Sequence, residues 1–161
     1  MQRSDSFCPK CGHLLQFKIF ETKEILECSA CEAQFYFDPK VAAVCVLSLG
    51  EQVLLIKRGN EPGYGKWSLP GGYVDRFEVV EDAVKREINE EIGLTVNEVE
   101  LMGVYSTNDS PVIVVAYKAL SFTGTILSND EVLDCQSFTV DKLPNMAFIR
   151  DEGIIRKAIK S

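Results

Sequence analysis

The chain has 161 residues, of which 46% are hydrophobic and 25% charged, the composition of one ordinary globular domain with room for a small accessory unit. Its formal net charge of -7 argues against a binder of nucleic-acid polymers, because such proteins gather Lys and Arg against phosphates. The longest apolar run, residues 41–47, is too short to span a membrane, and no signal peptide precedes the first cysteine motif, so we expect a cytoplasmic protein.

Two Cys-x-x-Cys pairs open the sequence, Cys8 with Cys11 and Cys28 with Cys31. Four thiolates at this spacing predict a tetrahedral structural Zn²⁺ site, and hence a small four-cysteine zinc ribbon over residues 1–36. A redox-active Cys-x-x-Cys is the competing interpretation, and the presence of two pairs makes it the weaker one. The two other cysteines lie in apolar, strand-like stretches where we expect buried packing residues.

Residues 37–161 show the pattern of a β-rich domain with one strong central helix. Strands are predicted at residues 41–49, 53–57, 67–69, 96–105, 112–120 and 133–140. The glycine- and proline-rich stretches 59–65 and 70–72 are predicted to be a loop and a breaker cluster. A helix is predicted over residues 78–92, ended by Gly93, and a short one over residues 153–160. This order indicates a mixed α/β domain.

The central helix carries acids on the side that its apolar residues turn toward the core. On a helical wheel centred on Val80, Glu87 and Glu91 each fall about 20° away, and Glu90 lies at the edge of the same arc. Carboxylates three and four residues apart repel one another. In a low-dielectric environment, an unpaired carboxylate is also costly. A positive partner is therefore expected.

Two kinds of positive partner are open. The ordinary interpretation is a solvated acidic face whose carboxylates pair with Lys85 and Arg86. The inward direction of two of the acids favours a site for Mg²⁺ or Mn²⁺ instead, because these ions take oxygen ligands and bridge phosphates. Gly71 and Gly72 precede this region, and glycine lets a backbone carbonyl approach a metal or a substrate closely. A tight turn would also use glycine there, and the two explanations are compatible.

These residues resemble the Nudix box, G-x5-E-x7-R-E-U-x-E-E-x-G-U, where U is aliphatic. The nine matching positions are Gly72, Glu78, Arg86, Glu87, Ile88, Glu90, Glu91, Gly93 and Leu94. The W-S-L-P-G-G segment at residues 67–72 resembles the segment that commonly leads into the box in this family. The strand ending in Arg58 resembles the strand, ending in a basic residue, that precedes this segment in the family. The resemblance implies an α/β/α sandwich around a mixed sheet, preceded here by the ribbon.

The resemblance also implies an activity, the metal-dependent hydrolysis of a diphosphate linkage in a nucleoside diphosphate derivative. ADP-ribose or a related dinucleotide such as NADH or FAD is the expected small-molecule substrate. It implies that Glu87, Glu90 and Glu91 bind the catalytic metal together with a backbone carbonyl near Gly72. Arg86 would pair with Glu78 and orient a catalytic carboxylate. Glu131 is the expected second metal ligand or general base, with Asp130 as the fallback; Arg58, Tyr73 and Tyr105 are the expected substrate contacts.

Two departures from the family pattern limit these expectations. Phe77 stands where glycine is common before the first glutamate of the box, which affects the shape of the loop. The Gln-Pro-Trp-Pro-Phe stretch of NADH-cleaving members is missing from residues 105–111, which weakens the assignment of NADH as the substrate.

The alternative function is a non-catalytic ribbon–Nudix module that recruits protein or nucleic acid, and a third is a Nudix-fold isomerase. The intact set of acids argues against both. Nucleic acid and membrane are not expected partners. The sequence leaves the oligomeric state open, and the resemblance to a family that often dimerises makes a homodimer the form to test.

Overall fold

The computed structural model describes residues 6–127 and 131–160, so Asp130 lies outside the described residues. Contacts within the chain define two compact units, Met1–Pro39 and Lys40–Ser161. Neither described stretch contains a helix with the length and apolar character needed to cross a bilayer.

The first unit is a three-stranded antiparallel sheet. Its strands are β1 (Leu15–Phe20), β2 (Lys23–Cys28) and β3 (Gln34–Tyr36), in the order β1-β2-β3. Among its described residues, the buried hydrophobic side chains are Cys8, Ile25 and Cys28. Three buried side chains are too few for a hydrophobic core. A small unit of this kind generally needs another source of stability, such as a bound metal.

The second unit is built on a mixed seven-stranded sheet. Its strands are β4 (Lys40–Leu49), β5 (Gln52–Arg58), β6 (Trp67–Ser68), β7 (Gly71–Tyr73), β8 (Thr95–Tyr105), β9 (Val112–Thr123) and β10 (Val132–Thr139). The order is β10-β5-β4-β9-β8, with β6 paired to β5 and β7 paired to β4. The central pair, β4 with β9, is parallel, and the other pairs are antiparallel.

Two helices cover opposite faces of this sheet, because the strands alternate apolar side chains between the two sides. Helix α1 (Val80–Ile92) contributes Val84, Ile88 and Ile92 to a cluster that includes Ala43 and Cys45 of β4, here called the α1-side cluster. Helix α2 (Ile149–Lys160) contributes Ile154, Ile155 and Ala158 to a second cluster that includes Ala42 and Val44, here called the α2-side cluster. The unit is therefore an α/β/α sandwich, as expected.

The sheet opens along one edge of β4. The first half of β4 pairs with β7, with Val44 opposite Gly71, and its second half pairs with β5, with Leu47 opposite Leu54. The chain crosses this opening between β6 and β7. There the Pro70 carbonyl accepts a hydrogen bond of 3.0 Å from the Cys45 N–H. The crossing places the start of the box at the opening of the sheet.

Several element boundaries differ from the predicted ones, and three of these differences concern the box and the last helix. Helix α1 begins at Val80 rather than at residue 78, because the Glu78 carboxylate accepts the Asp75 N–H at 2.9 Å and belongs to the preceding loop. Gly71 and Gly72, predicted as part of a breaker cluster, form with Tyr73 a short strand that pairs with β4. Helix α2 begins at Ile149, and it runs through Gly153, which was predicted as its first residue.

Candidate active site

Glu91 is the buried acid of the box. It lies on the inner side of α1 with 8% of its surface exposed, and its Oε2 accepts a hydrogen bond of 2.8 Å from the Gly71 N–H. Burial raises the pKa of Glu91 to about 8, since an ionised carboxylate is poorly solvated there. The helix therefore holds a chemically unusual carboxyl group against the backbone of β7.

Glu87 packs against the next glycine, Gly72. A Cβ added to Gly72 would lie 2.5 Å from the Glu87 Cδ, so any larger residue would displace the carboxylate. Burial also raises the pKa of Glu87. Two adjacent glycines thus let two acids from successive turns of α1 reach the same short strand.

Arg86 binds the acids of the loop and of the helix. Its guanidinium makes a bidentate ion pair with Glu78, at 2.7 Å and 2.8 Å, as expected. It also donates to Glu87 at 2.8 Å, to Glu90 at 3.0 Å and to the Tyr73 carbonyl at 3.1 Å. The pair with Arg86 lowers the pKa of Glu78 to about 2. Glu87 and Glu90 thus pair with Arg86, as the interpretation of an ordinary acidic face expected.

Glu91 differs from these two acids, because its hydrogen bond comes from a neutral backbone amide. Beyond burial, the pKa of Glu91 is raised by the charge of Glu87 and lowered by the charge of Arg58. Arg58 itself donates to the Pro62 carbonyl at 2.8 Å, and its guanidinium lies 5.3 Å from the centre of the Phe148 ring. Arg58 is thus close enough to the site to act on it electrostatically.

Glu131 approaches the same acids from the start of β10. Its carbonyl accepts the Gly59 N–H at 2.8 Å, which fixes it beside the end of β5. Beyond burial, its negative charge raises the pKa of both Glu87 and Glu91. Residues far apart in the sequence are therefore brought together at one end of α1.

The two tyrosines named as substrate contacts lie on the other face of the sheet. Tyr73 is opposite Ala42 in the β4–β7 pair, and Tyr105 packs against the α2-side cluster. The ammonium group of Lys40 lies 4.8 Å from the centre of the Tyr73 ring. The structure does not bring these tyrosines to the face that carries the glutamates.

Phe77, where the family commonly has glycine, adopts a left-handed backbone conformation with φ of 71°. Its side chain is 94% exposed, and the Arg76 guanidinium lies 5.1 Å from the centre of its ring. A bulky residue in this region of the Ramachandran plot is strained. The loop therefore has a backbone conformation that glycine adopts readily and that is unfavourable for Phe77.

The four cysteines of the first unit form a compact group, with all ligand atoms within 4.8 Å of one another. The sulfur atoms of Cys8 and Cys31 are 3.6 Å apart, and those of Cys11 and Cys28 are 3.4 Å apart. Hydrogen bonds from the N–H groups of Cys31 and Ala30 lower the pKa of Cys28, whereas hydrogen bonds with the sulfurs of Cys28 and Cys31 raise the pKa of Cys11. Four free sulfurs in this arrangement can hold a tetrahedral metal ion.

Asp151 was not among the residues predicted from the sequence. This residue is 1% exposed, and its Oδ2 accepts the Leu69 N–H at 3.2 Å. The signal was available, because Asp151 shares a helical stripe with Ile154, Ile155 and Ala158. An acid inside an apolar stripe is the same pattern that identified Glu91.

Comparisons with known proteins agree with this architecture. A family model described as NUDIX domain matches residues 38–158. A protein named ADP-ribose pyrophosphatase from Methanocaldococcus jannaschii is 36% identical over 125 residues, covering 75% of this chain and 74% of that protein. The NAD-capped RNA hydrolase NudC of Pseudomonas aeruginosa is 29% identical over 145 residues, covering 88% of this chain and 50% of that protein. The chain thus spans about half the length of NudC.

The fold is also similar to that of solved structures. The crystal structure of a NUDIX hydrolase from Nitrosomonas europaea aligns with a TM-score of 0.78 and 26% sequence identity. That alignment covers 96% of this chain and 90% of the other.

Proposed function

The chain belongs to the Nudix family, and on that premise we propose that it hydrolyses a diphosphate linkage in a nucleoside diphosphate derivative. ADP-ribose is the first candidate substrate, because the relative from Methanocaldococcus jannaschii carries that name, and NADH and FAD are the others. The observation that carries the proposal is the buried carboxylate of Glu91 beside the glycines of β7. A carboxylate destabilises an apolar core, whereas in a site for cations and diphosphate it can bind the cation.

The groups around Gly72 fit a hard divalent cation. The carboxylates of Glu87, Glu90 and Glu91 and the Gly72 carbonyl offer only oxygen, which is the ligand type of Mg²⁺ and Mn²⁺. A cation would also relieve the repulsion among these acids and favour the ionised form of Glu91. When bound, such ions would neutralise the diphosphate and make a water molecule more acidic.

The remaining residues would bind and orient. Arg86 would hold Glu87 and Glu90 in fixed positions and tie the loop to the helix through Glu78. Glu131 would accept the proton of the attacking water, with Asp130 as the alternative base. Arg58 would contact the phosphates of the substrate. Tyr73 and Tyr105 lie on the other face of the sheet, so no contact with the diphosphate is proposed for them.

The cysteine group is proposed to hold one structural Zn²⁺, since a closed set of four thiolates leaves no open position for catalysis. We further propose that the ribbon, residues 1–36, and the hydrolase region, residues 37–161, are separate domains. The contact division falls after Pro39, close to this boundary. A homodimer stays a prediction, which light scattering would check.

A substrate panel tests the proposed activity. The full chain would be incubated with ADP-ribose, NADH, FAD, diadenosine polyphosphates, nucleoside triphosphates and an NAD-capped RNA, each with Mg²⁺, with Mn²⁺ and with EDTA. We expect AMP to be released from ADP-ribose with either ion and no release with EDTA. If no compound is cleaved with either ion, the proposal is wrong and the alternative, a non-catalytic module that recruits protein or nucleic acid, is favoured.

A further inference from the structure

The segment that crosses the opening of the sheet is held at three consecutive residues. The Leu69 N–H donates to Asp151 at 3.2 Å, the Pro70 carbonyl accepts from Cys45 at 3.0 Å, and the Gly71 N–H donates to Glu91 at 2.8 Å. Gly72, against which Glu87 packs, comes next. This segment therefore leads directly into the acids of the proposed active site.

The two carboxylates in this arrangement come from opposite layers of the sandwich. Glu91 belongs to α1, whereas Asp151 belongs to the first turn of α2. Proline lacks an N–H, so Leu69 and Gly71 supply the two donors that flank Pro70. One donor is bound from each face of the sheet. The backbone between them is thus fixed from both sides.

Packing alone does not account for an acid at position 151. Asp151 is 1% exposed, and its Oδ1 has no hydrogen-bond partner among the described residues. The nearest cation, the Arg150 Nε, is 3.8 Å away, which is too far for a hydrogen bond. A buried carboxylate satisfied on one oxygen only is less favourable than an apolar residue of similar volume. The helix already docks through Ile154, Ile155 and Ala158.

We propose that Asp151 is a positioning residue for the active site. Through the Leu69 N–H it fixes the crossing segment, and so keeps the Gly71 N–H and the Gly72 carbonyl in register with Glu87 and Glu91. This inference rests on the proposed function, since it concerns the geometry that binds a divalent cation and a diphosphate. The role belongs to the hydrogen bond, so another acceptor of the same size should replace the carboxylate.

Two variants of the full chain separate this role from packing. Asp151→Asn keeps an oxygen that can accept the Leu69 N–H. Asp151→Leu keeps the branching of the side chain in a larger residue and has no acceptor. For D151L we expect kcat to fall about tenfold or more and the Kd for Mn²⁺ to rise about tenfold, the range for residues that orient metal ligands. For D151N we expect both values to stay within about threefold of the wild type. Mn²⁺ binding would be measured by electron paramagnetic resonance without substrate.

Ile155→Val is the matched control, because it weakens the docking of the same helix and keeps both partners of the Asp151–Leu69 hydrogen bond. It should lower the Tm and leave kcat and Mn²⁺ binding unchanged. Should D151L fail to fold, Asp151→Ala, which also lacks an acceptor, supplies the same comparison. The inference is overturned if the variant without an acceptor binds Mn²⁺ and turns over like the wild type, or if I155V shows equal losses. An inactive wild type would refute the proposed function, while the Mn²⁺ comparison would still test Asp151.

Discussion

Glu91 and Asp151 are the acids that the second unit buries among its described residues, and each accepts a backbone N–H beside Pro70. A buried carboxylate lowers stability when its charge is not compensated. At both positions an apolar residue would favour stability, whereas the proposed function requires an acid.

Replacing Glu91 by Gln should abolish metal-dependent hydrolysis while leaving the fold intact. The amide keeps the size of the side chain but cannot supply the charge that a cation requires, so we expect kcat to fall by about 100-fold or more. Initial rates at saturating Mg²⁺ measure the effect, and circular dichroism checks the fold. Glu98→Gln, at an exposed position of β8, is the control that should keep full activity. Turnover retained in E91Q would refute the role assigned to Glu91.

Asp151 should make stability depend on pH in the mildly acidic range. Burial raises its pKa to about 6 from 3.8, against the opposing effects of the Leu69 N–H and the charges of Arg150 and Arg58. The folded state then holds its proton in a range where the unfolded state has lost it, so stability falls as pH rises from about 4 to about 6.

The comparison with D151N isolates this contribution, because the other titrating groups are shared. We expect the wild type to lose about 2 kcal/mol relative to D151N between pH 4 and pH 7. Urea unfolding at the two pH values gives the difference. Parallel pH dependences for the two proteins would show that Asp151 does not titrate in this way.

Phe77 offers a test of backbone strain. Phe77→Ala and Phe77→Gly both remove the exposed ring, but only glycine relieves the left-handed conformation. We therefore expect F77G to be more stable than F77A by about 1 kcal/mol, measured by thermal or urea unfolding. If F77A is the more stable of the two, the loop does not hold this residue at positive φ.

At the scale of elements, β7 and helix α1 form the site as a unit. The strand contributes two glycines and backbone groups, and the helix contributes the acids that approach them. The two glycines should respond differently to substitution, because one faces backbone and the other faces the end of a side chain.

Gly71→Ala should be the more destabilising change. Its Cβ would lie 2.7 Å from the Val44 Cα, where the backbone of β4 cannot move aside, and the φ of 135° is unfavourable for alanine. We expect a loss of roughly 3 kcal/mol. Gly72→Ala meets the flexible carboxylate of Glu87, so it should fold but lose activity by about tenfold. Urea unfolding and initial rates distinguish the two, and equal stability losses would contradict this account.

Local sequence signals account for helix α1 and for the mixed α/β class, whereas the α/β/α sandwich was implied by the family resemblance. Periodicity, the absence of breakers and Gly93 as a left-handed C-cap marked the helix, because those features act within a few residues. Strand β7 was missed because two glycines carry no side-chain pattern, and it exists through its pairing with β4. The face on which Tyr73 and Tyr105 lie depends on strand register, which a single sequence does not reveal.

At the scale of the whole molecule, the two units differ in how they are stabilised. The second unit has two hydrophobic clusters, whereas the described part of the first has few buried apolar groups and four convergent sulfurs. The cysteine spacing was sufficient to predict that convergence, since the pairing of two knuckles follows from the chemistry of the metal.

Metal analysis should find about one Zn²⁺ per chain, and Cys28→Ser should lower that content sharply. Because the first unit lacks a core, removal of the metal by a chelator should abolish the ordered structure of residues 6–39, measured by amide hydrogen exchange. Cys135→Ser, in β10, is the matched control and should keep the full zinc content. A chain that folds in this region without zinc would contradict the proposed role.

The parallel pair at the centre of the sheet has a kinetic consequence. Because Lys40 lies opposite Val112, strands β5 to β8 and helix α1 together form the connection between the two partners. Closing so long a connection loses chain entropy before the central pair gains its contacts. We expect the folding rate to depend on how readily the connection between β4 and β9, which carries the glutamates, becomes ordered. Substitutions in this connection should therefore slow refolding even where the final stability is unchanged.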